Sequence, residues 1–326
     1  MSFIIATRNR RPFLSETISS ILRLNYAQTE LVIVDDASTD DTSEYAAELV
    51  RTAPTRIIYR QSERQGPGRN RRAAWDEITG AYVVFIDDDD FYVAKNFVQN
   101  SIRIFEANAG LACVLYNSLI LHDEDQSVVI DNPLGPVGRV DRTEYLASFG
   151  KTIRKPISTF PAMFSTSAMR DAGIETMKTL NDTQIYLRAL IGGDAFFCED
   201  YVGVYRVHRG SIGQSLSAGF IIENLDEKVR LADSLPPEIA VDPWLREQLA
   251  QTLRYYCESS ARIDYTAIFR WLWQTRPIPR MYLTRAVAGW RLRKRLRIRG
   301  AAFSAKRAVS KVFLGPPSRR RATVRE

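Results

Sequence analysis

The chain has 326 residues with 45% hydrophobic and 25% charged content, enough for one large domain with an appendage or two domains, and not a fibrous or low-complexity composition. Its net charge of +7 is unevenly spread: residues 276–326 hold 16 Lys/Arg against one acid, so the rest of the chain is net negative and the tail points to an anionic partner. Cys113, Cys198 and Cys257 lie far apart with no CxxC pair, which argues against a disulfide framework and a zinc site and fits a reducing cytosol, and with only His122 and His208 available a metal site must be built mainly from carboxylates.

In chain order, residues 3–6 read as a strand, too short an apolar run for a signal peptide. Pro12 opens a helix with Phe13, Ile18, Ile21 and Leu22 at helical spacing. The β-branched run 31–34 predicts a second strand ending in Asp35-Asp36, and residues 38–41 supply an N-cap for a helix through Tyr45 and Leu49. Residues 56–59 predict a third strand. Gly66-Pro67-Gly68 turns into a helix running through Ile78, Gly80 ends it, and residues 82–86 form the fourth strand. A helix over 96–106 and a strand over 112–121 follow. Residues 123–125 then form a turn between strands, 182–190 a helix, and 196–197 and 202–205 two short strands. From about residue 217 the pattern is helical throughout, over 220–231 and 244–263, before a tail rich in Trp and Arg. Strand and helix alternating at this spacing imply parallel βαβ units with right-handed crossovers. Apolar runs in place of alternation imply strands covered on both faces.

The chemistry concentrates where the fourth strand ends in Asp87-Asp88-Asp89-Asp90. Adjacent carboxylates repel one another. A hard divalent cation, Mg²⁺ or Mn²⁺, would relieve that repulsion with oxygen ligands. Taken alone, four aspartates read equally well as a solvated acidic turn. Thr7-Arg8-Asn9 and Asp35-Asp36 also end strands, so three polar termini converge on the sheet edge where α/β proteins bind ligands.

Six elements in order resemble the inverting glycosyltransferases of family 2. They are residues 5–9, residues 32–40, Gly68-Arg69-Asn70, residues 80–90, Asn181-Asp182, and residues 205–211. The resemblance covers roughly residues 2–215 and implies a GT-A fold, a Rossmann-like α/β, mostly parallel sheet flanked by helices. The expected organisation is a catalytic domain over 1–216 and an all-helical, basic C-terminal region over 217–326. By resemblance, Thr7 and Asn9 line the nucleoside pocket, Asp36 accepts a hydrogen bond from the base, and Arg69 lies near the diphosphate. Asp87 and Asp89 match the DxD metal motif, with Asp88 between them in the donor site. Asp182 matches the catalytic base, His208 a position that reaches metal or diphosphate, and Arg206 and Ser211 flank it in the donor site. Two departures stand out: Arg8 occupies a position where the family often has Tyr, and Asn181 one where it often has Glu. Each role has a structural counterpart: Asp182 as a helix cap or dipole partner, Arg206 as an ion pair, His208 as a structural or exposed residue, Asp35 as a loop anchor.

The implied reaction is metal-dependent, inverting transfer of a sugar from a nucleotide-sugar, a UDP-sugar by resemblance, to a glycan, cell-wall polymer or lipid-linked acceptor. A nucleotidyltransferase is the enzyme alternative, although such enzymes usually open with a Gly-rich loop and residues 7–12 contain no Gly. A non-catalytic nucleotide-sugar-binding or scaffold protein on the same fold is the other. In the tail, Met281, Leu283, Val287 and Trp290 lie near helical spacing among Arg285, Arg291 and Lys294, and Phe303, Val309, Val312 and Phe313 repeat the theme. A basic helix with an apolar face suits an anionic membrane surface. The expectation is therefore a bacterial, cytoplasmic protein peripheral to the inner face of the plasma membrane. Docking on the acidic body, a homo-oligomer contact and a polyanionic acceptor compete for the tail, and no nucleic-acid motif accompanies the charge. The run 292–299 breaks the apolar period.

Overall fold

The computed structural model describes residues 1–131, 133–208, 216–260, 262–275 and 278–299, with side chains of the last helix to residue 293. The chain divides into two compact units, one of residues 1–208 and a second beginning at residue 209.

The first unit opens with β1 (Ser2–Thr7), α1 (Arg11–Leu22), β2 (Glu30–Asp35), α2 (Thr42–Thr52), β3 (Arg56–Gln61), α3 (Pro67–Trp75) and β4 (Tyr82–Asp87). These strands are parallel in the order β3-β2-β1-β4, so the winding reverses between β1 and β4. β1 and β2 are buried along their whole length, as strands covered on both faces must be, which is why they read as unbroken apolar runs. Helix boundaries follow local chemistry. Pro54 follows the α2 cap residue, and Pro67 sits in the first turn of α3 after Gly66 at φ +88°. α3 ends at Trp75, three residues before the predicted Ile78, with Asp76 capping it.

The unit continues with β5 (Phe91–Tyr92), α4 (Phe97–Ala107), β6 (Leu111–His122), β7 (Ser127–Ile130), β8 (Gly138–Val140), α5 (Arg142–Ser148), β9 (Ala162–Ser165), α6 (Thr166–Asp171), α7 (Asp182–Gly192) and β10 (Asp194–Val207). β9 joins the sheet antiparallel between β4 and β6, and β10 pairs parallel with β6. The result is one mixed ten-stranded sheet flanked by helices. The two short strands expected at 196–197 and 202–205 are one strand, β10, whose register with β6 shifts between Phe197 and Gly203. Phe3, Ile5, Ile33, Val84, Ile86, Tyr92, Phe97 and Phe160 share the core.

The second unit is helical among its described residues: α8 (Ala218–Leu231), α9 (Val241–Ser259), α10 (Tyr265–Gln274) and α11 (Arg280–Arg299). Ser217 caps α8 through the Phe220 amide at 3.1 Å, and Asp264 caps α10 through the Ala267 amide at 2.9 Å. The buried Lys228 ammonium donates to the Gln248 carbonyl at 3.0 Å and to Thr252 Oγ1 at 2.8 Å, tying α8 to α9. α11 runs unbroken through the stretch where the apolar period fails, with Leu283 and Val287 buried. Residues 303–313 of the tail lie outside the described residues.

Candidate active site

In a doubly wound sheet the crevice lies beyond the carboxyl ends of the strands where the winding reverses. Here that point falls between β1 and β4, so Thr7 and Asp87 end neighbouring strands. The Thr7 hydroxyl donates to Asp88 Oδ2 at 2.7 Å. The turn after β4 closes with the Asp90 amide on the Asp87 carbonyl at 3.3 Å. Thr17 of α1 donates to the Asp88 and Asp90 carbonyls at 2.9 and 2.7 Å, fixing the turn from below.

Asp88, Asp89 and Asp90 are buried and Asp87 is half-buried, and the cluster is incompletely neutralised. Burial pushes Asp87 up to about 6, against Arg71 and with help from the charges of Asp182 and Asp89. Burial and then the charge of Asp89 push Asp88 up to about 7, against Arg10 and the Thr7 hydroxyl. Asp90, fully buried, is held well above the ordinary carboxylate range by burial and then by Asp89 and Asp87. It accepts the Arg206 amide at 3.1 Å on Oδ1, and Oδ2 is buried with no hydrogen-bond donor among the described residues. Asp87, Asp89 and Asp90 each bring one oxygen to within 4.8 Å of the others. An all-oxygen, mutually repelling set with an orphaned acceptor fits a hard divalent cation.

Cations already lean on this cluster. Arg10 Nη1 bridges Asp88 Oδ1 at 3.1 Å and Asp89 Oδ2 at 2.8 Å. His208 Nε2 lies 2.9 Å from Asp89 Oδ2, with its ring packed on Phe13 at 5.1 Å. Arg71 pairs with Asp87 through Nη2 and with Asp182 Oδ1 through Nη1 at 3.0 Å. Burial opposes the Arg71 charge, yet Asp87 and Asp182 together raise its pKa above the ordinary arginine value.

The profile of glycosyl transferase family 2 matches residues 2–164, half of the chain, including the acidic turn. The chain belongs to that family. Among family 2 relatives, a Campylobacter jejuni protein, GalNAc(5)-diNAcBac-PP-undecaprenol beta-1,3-glucosyltransferase, is 34% identical over 122 residues, 37% of this chain and 38% of that protein. Staphylococcus aureus TarS, a poly(ribitol-phosphate) beta-N-acetylglucosaminyltransferase, is 29% identical over 102 residues, 31% of this chain and 18% of that protein. The matches thus span well under half the length of these curated relatives. The crystal structure of S. aureus TarS 1-349 in complex with UDP-GlcNAc superposes with a TM-score of 0.65 over 93% of each chain at 17% identity, a likeness of fold. The fold of this family 2 member is GT-A.

The remaining expected residues fall in several places. Asn9 adopts φ +52° and bridges the loops after β1 and β2, its amide on Ser38 Oγ at 2.8 Å and its Oδ1 taking the Thr39 amide at 2.7 Å. Asp36 is committed to the loop before α3: it accepts from the Gln65 amide at 2.8 Å, the Gly66 amide at 3.2 Å and Asn70 Nδ2 at 2.8 Å. Asp35 anchors Ser38 at 2.9 Å and Tyr59 at 2.7 Å. Arg206 is buried in ion pairs with Glu16 and Asp123, the latter at 2.8 Å, donates to the Asp89 carbonyl at 3.1 Å, and stacks over Phe13 and Phe91. Arg206 therefore braces the back of the acidic turn. Arg69 lies on the exposed side of α3. Ser211 lies outside the described residues.

Three residues at this cluster escaped the sequence reading. Asp90 is the last residue of the acidic run, and nothing local in the sequence shows that the turn folds it back beside Asp87. Arg10 follows the strand-end motif and reaches the acids only in three dimensions. Arg71 did leave a signal, because Gly68, Arg71, Ala74 and Trp75 fall on one helical face and all four are buried.

Proposed function

We propose that this protein transfers a sugar from a nucleotide-sugar, a UDP-sugar, to a hydroxyl of a glycan, cell-wall polymer or lipid-linked acceptor, with inversion at the anomeric carbon. Residues 1–216 carry the catalysis, and the helical region 217–326 serves acceptor or surface binding. Mn²⁺ or Mg²⁺ is held by Asp87, Asp89 and Asp90, with His208 beside Asp89, and when bound supplies Lewis-acid neutralisation of the diphosphate. Thr7 and Asn9 shape the nucleoside side of the crevice. Asp36 and Asn70 hold the loop at 65–66 that borders it. Arg10 adds positive charge on the diphosphate side. Asp88 anchors Thr7 and Arg10. Asp182 is the base: the acceptor oxygen bonds to the anomeric carbon, its proton passes to the carboxylate, and the bond to the diphosphate breaks with its electrons on the leaving nucleotide.

The observation that carries this reading is the meeting of Asp182 with the acidic turn: a carboxylate from α7, about 95 residues further along the chain, joins the Asp87 cluster through one guanidinium at the strand ends of a family 2 fold. The names of the relatives support phosphate-linked acceptors, a lipid diphosphate in one and a polyol-phosphate polymer in the other. No described helix is long and apolar enough to cross a membrane. Exposed Trp273, Met281, Tyr282 and Leu292 accompany the basic charge of α10 and α11, and this pairing supports a peripheral position on the anionic inner face of the plasma membrane. The test is incubation of the purified protein with UDP-glucose or UDP-GlcNAc, Mn²⁺ and a phosphate-linked acceptor, with the anomeric configuration read by NMR. A β-linked product from an α-linked donor is expected; a retained configuration would overturn the mechanism. Flotation with anionic and neutral vesicles tests the surface, with binding expected to the anionic ones alone and lost at high salt.

A further inference from the structure

Arg71 is buried, and its two terminal nitrogens serve different carboxylates: Nη2 pairs with Asp87 and Nη1 with Asp182 at 3.0 Å. Nη1 also donates to the Leu180 carbonyl at 3.3 Å. The clamp depends on close docking of α3 against the segment leading into α7. The Leu180 amide donates to the Gly68 carbonyl at 2.8 Å, and a Cβ at Gly68 would collide with the Thr179 and Asn181 side chains. One guanidinium thus joins three elements: α3, which carries it, the end of β4, and the first turn of α7. Asp182 is 32% exposed, and among the described residues only its Oδ1 is hydrogen-bonded.

We propose that Arg71 is the positioning residue of the transfer: it fixes Oδ1 of Asp182 so that Oδ2 is presented to the acceptor hydroxyl, at a separation from the Asp87 cluster set by the width of one guanidinium. This rests on the assignment of Asp182 as base. A planar guanidinium has rigidly spaced donors and holds two carboxylates at once, whereas an ammonium is a point charge on a flexible stem. Arg71→Lys keeps the charge and loses the fork. A misplacement of about 1 Å in a reacting group costs on the order of 100-fold in rate, and donor binding does not require the base.

The experiment compares wild type, Arg71→Lys, Arg71→Ala and Asp182→Asn as full-length proteins. It measures UDP release from the UDP-sugar with water as acceptor, the Kd for UDP with Mn²⁺ by calorimetry, and Tm. Arg71→Lys is expected to lower kcat about 100-fold while KM, the UDP Kd and Tm stay close to wild type. Guanidinium ion at non-denaturing concentration is expected to restore part of the kcat of Arg71→Ala without changing its UDP affinity. If Arg71→Lys keeps full kcat, or loses kcat, UDP affinity and Tm together, Arg71 is an ordinary structural ion pair and the proposal falls. Should Arg71→Ala fail to fold, the Arg71→Lys result still decides. An active Asp182→Asn variant would instead overturn the base assignment beneath the proposal.

Discussion

The parallel sheet buries an acid at its amino end, Glu30 of β2, and a run of acids beyond the carboxyl end of β4, Asp88 to Asp90 with Asp87 half-buried beside them, and it treats the two oppositely. At the amino end, Glu30 is 5% exposed and surrounded by donors: Ser2 Oγ at 2.6 Å, Thr79 Oγ1 at 3.0 Å, the Gly80 amide at 3.2 Å, the Thr79 amide and Arg56. Burial alone would raise its pKa, but the hydrogen bonds from Ser2, Thr79 and Arg56 outweigh burial and hold it below the ordinary value. At the carboxyl end, Asp87, Asp88 and Asp90 are raised, because burial and mutual repulsion outweigh the cations that reach them. A fully satisfied buried acid is a rivet of the fold. A cluster left short of positive charge stores unfavourable energy that a ligand can release. The contrast separates an acid that holds the sheet, Glu30, from the acidic turn that makes the site.

The largest expected effect breaks the functional end alone. Asp182→Asn should lower transfer by about 10²–10⁴-fold with Tm and UDP affinity preserved, read by product formation beside calorimetry. Glu30→Gln breaks the other end. It replaces an acceptor with an amide that faces several donors, and should cost roughly 2 kcal/mol, about 4–8 °C in Tm, with UDP affinity unchanged. Gly68→Ala strikes the junction between α3 and residues 179–181. It should cost about 1–3 kcal/mol and reduce kcat more than UDP affinity, since the docking it disturbs places Arg71 and Asp182.

The smallest effect is in the pH dependence, and its sign differs at the two ends. Burial and repulsion push Asp87 up to about 6 and Asp88 up to about 7 in the folded protein, so the stability tied to them is full below their ordinary carboxylate range and is lost as pH rises through 6 to 7. Glu30 is depressed, so its contribution is present at neutral pH and lost as pH falls through its folded value. In EDTA, Tm should rise by a few degrees from about pH 8 to about 5.5 and fall again below about pH 4. Asp88→Asn should shrink the upper limb, to which Asp87 also contributes, and leave the lower one unchanged, and Mn²⁺ should raise Tm more at pH 8 than at pH 5.5.

The parallel half was legible because strands covered on both faces leave continuous apolar runs, as at residues 31–34, and because each helix between them carries its own punctuation, such as Pro67 after Gly66. The antiparallel half was not. β9 is four residues long, and its neighbours β4 and β6 come from distant sequence, so no local period announces it. The acidic turn and Asp182 were visible as residue types at family spacing. The pairing of each acid with its cation was not, because Arg10 and Arg71 reach Asp88 and Asp182 across 78 and 111 residues of chain. Arg69 and Arg71 illustrate the difference: two positions apart on one helix, one faces outward and the other is buried among the carboxylates.

If the acidic turn after β4 is a cation-dependent nucleotide site and Glu30 is not part of it, nucleotide binding must need both metal and the turn and be indifferent to Glu30. Calorimetric titration with UDP, GDP, CDP and dTDP, with and without Mn²⁺, on wild type, Asp89→Ala and Glu30→Gln tests it directly. The account predicts that UDP binds wild type and Glu30→Gln alike, only with Mn²⁺, and fails to bind Asp89→Ala. Metal-independent binding, or binding retained in Asp89→Ala, would contradict it.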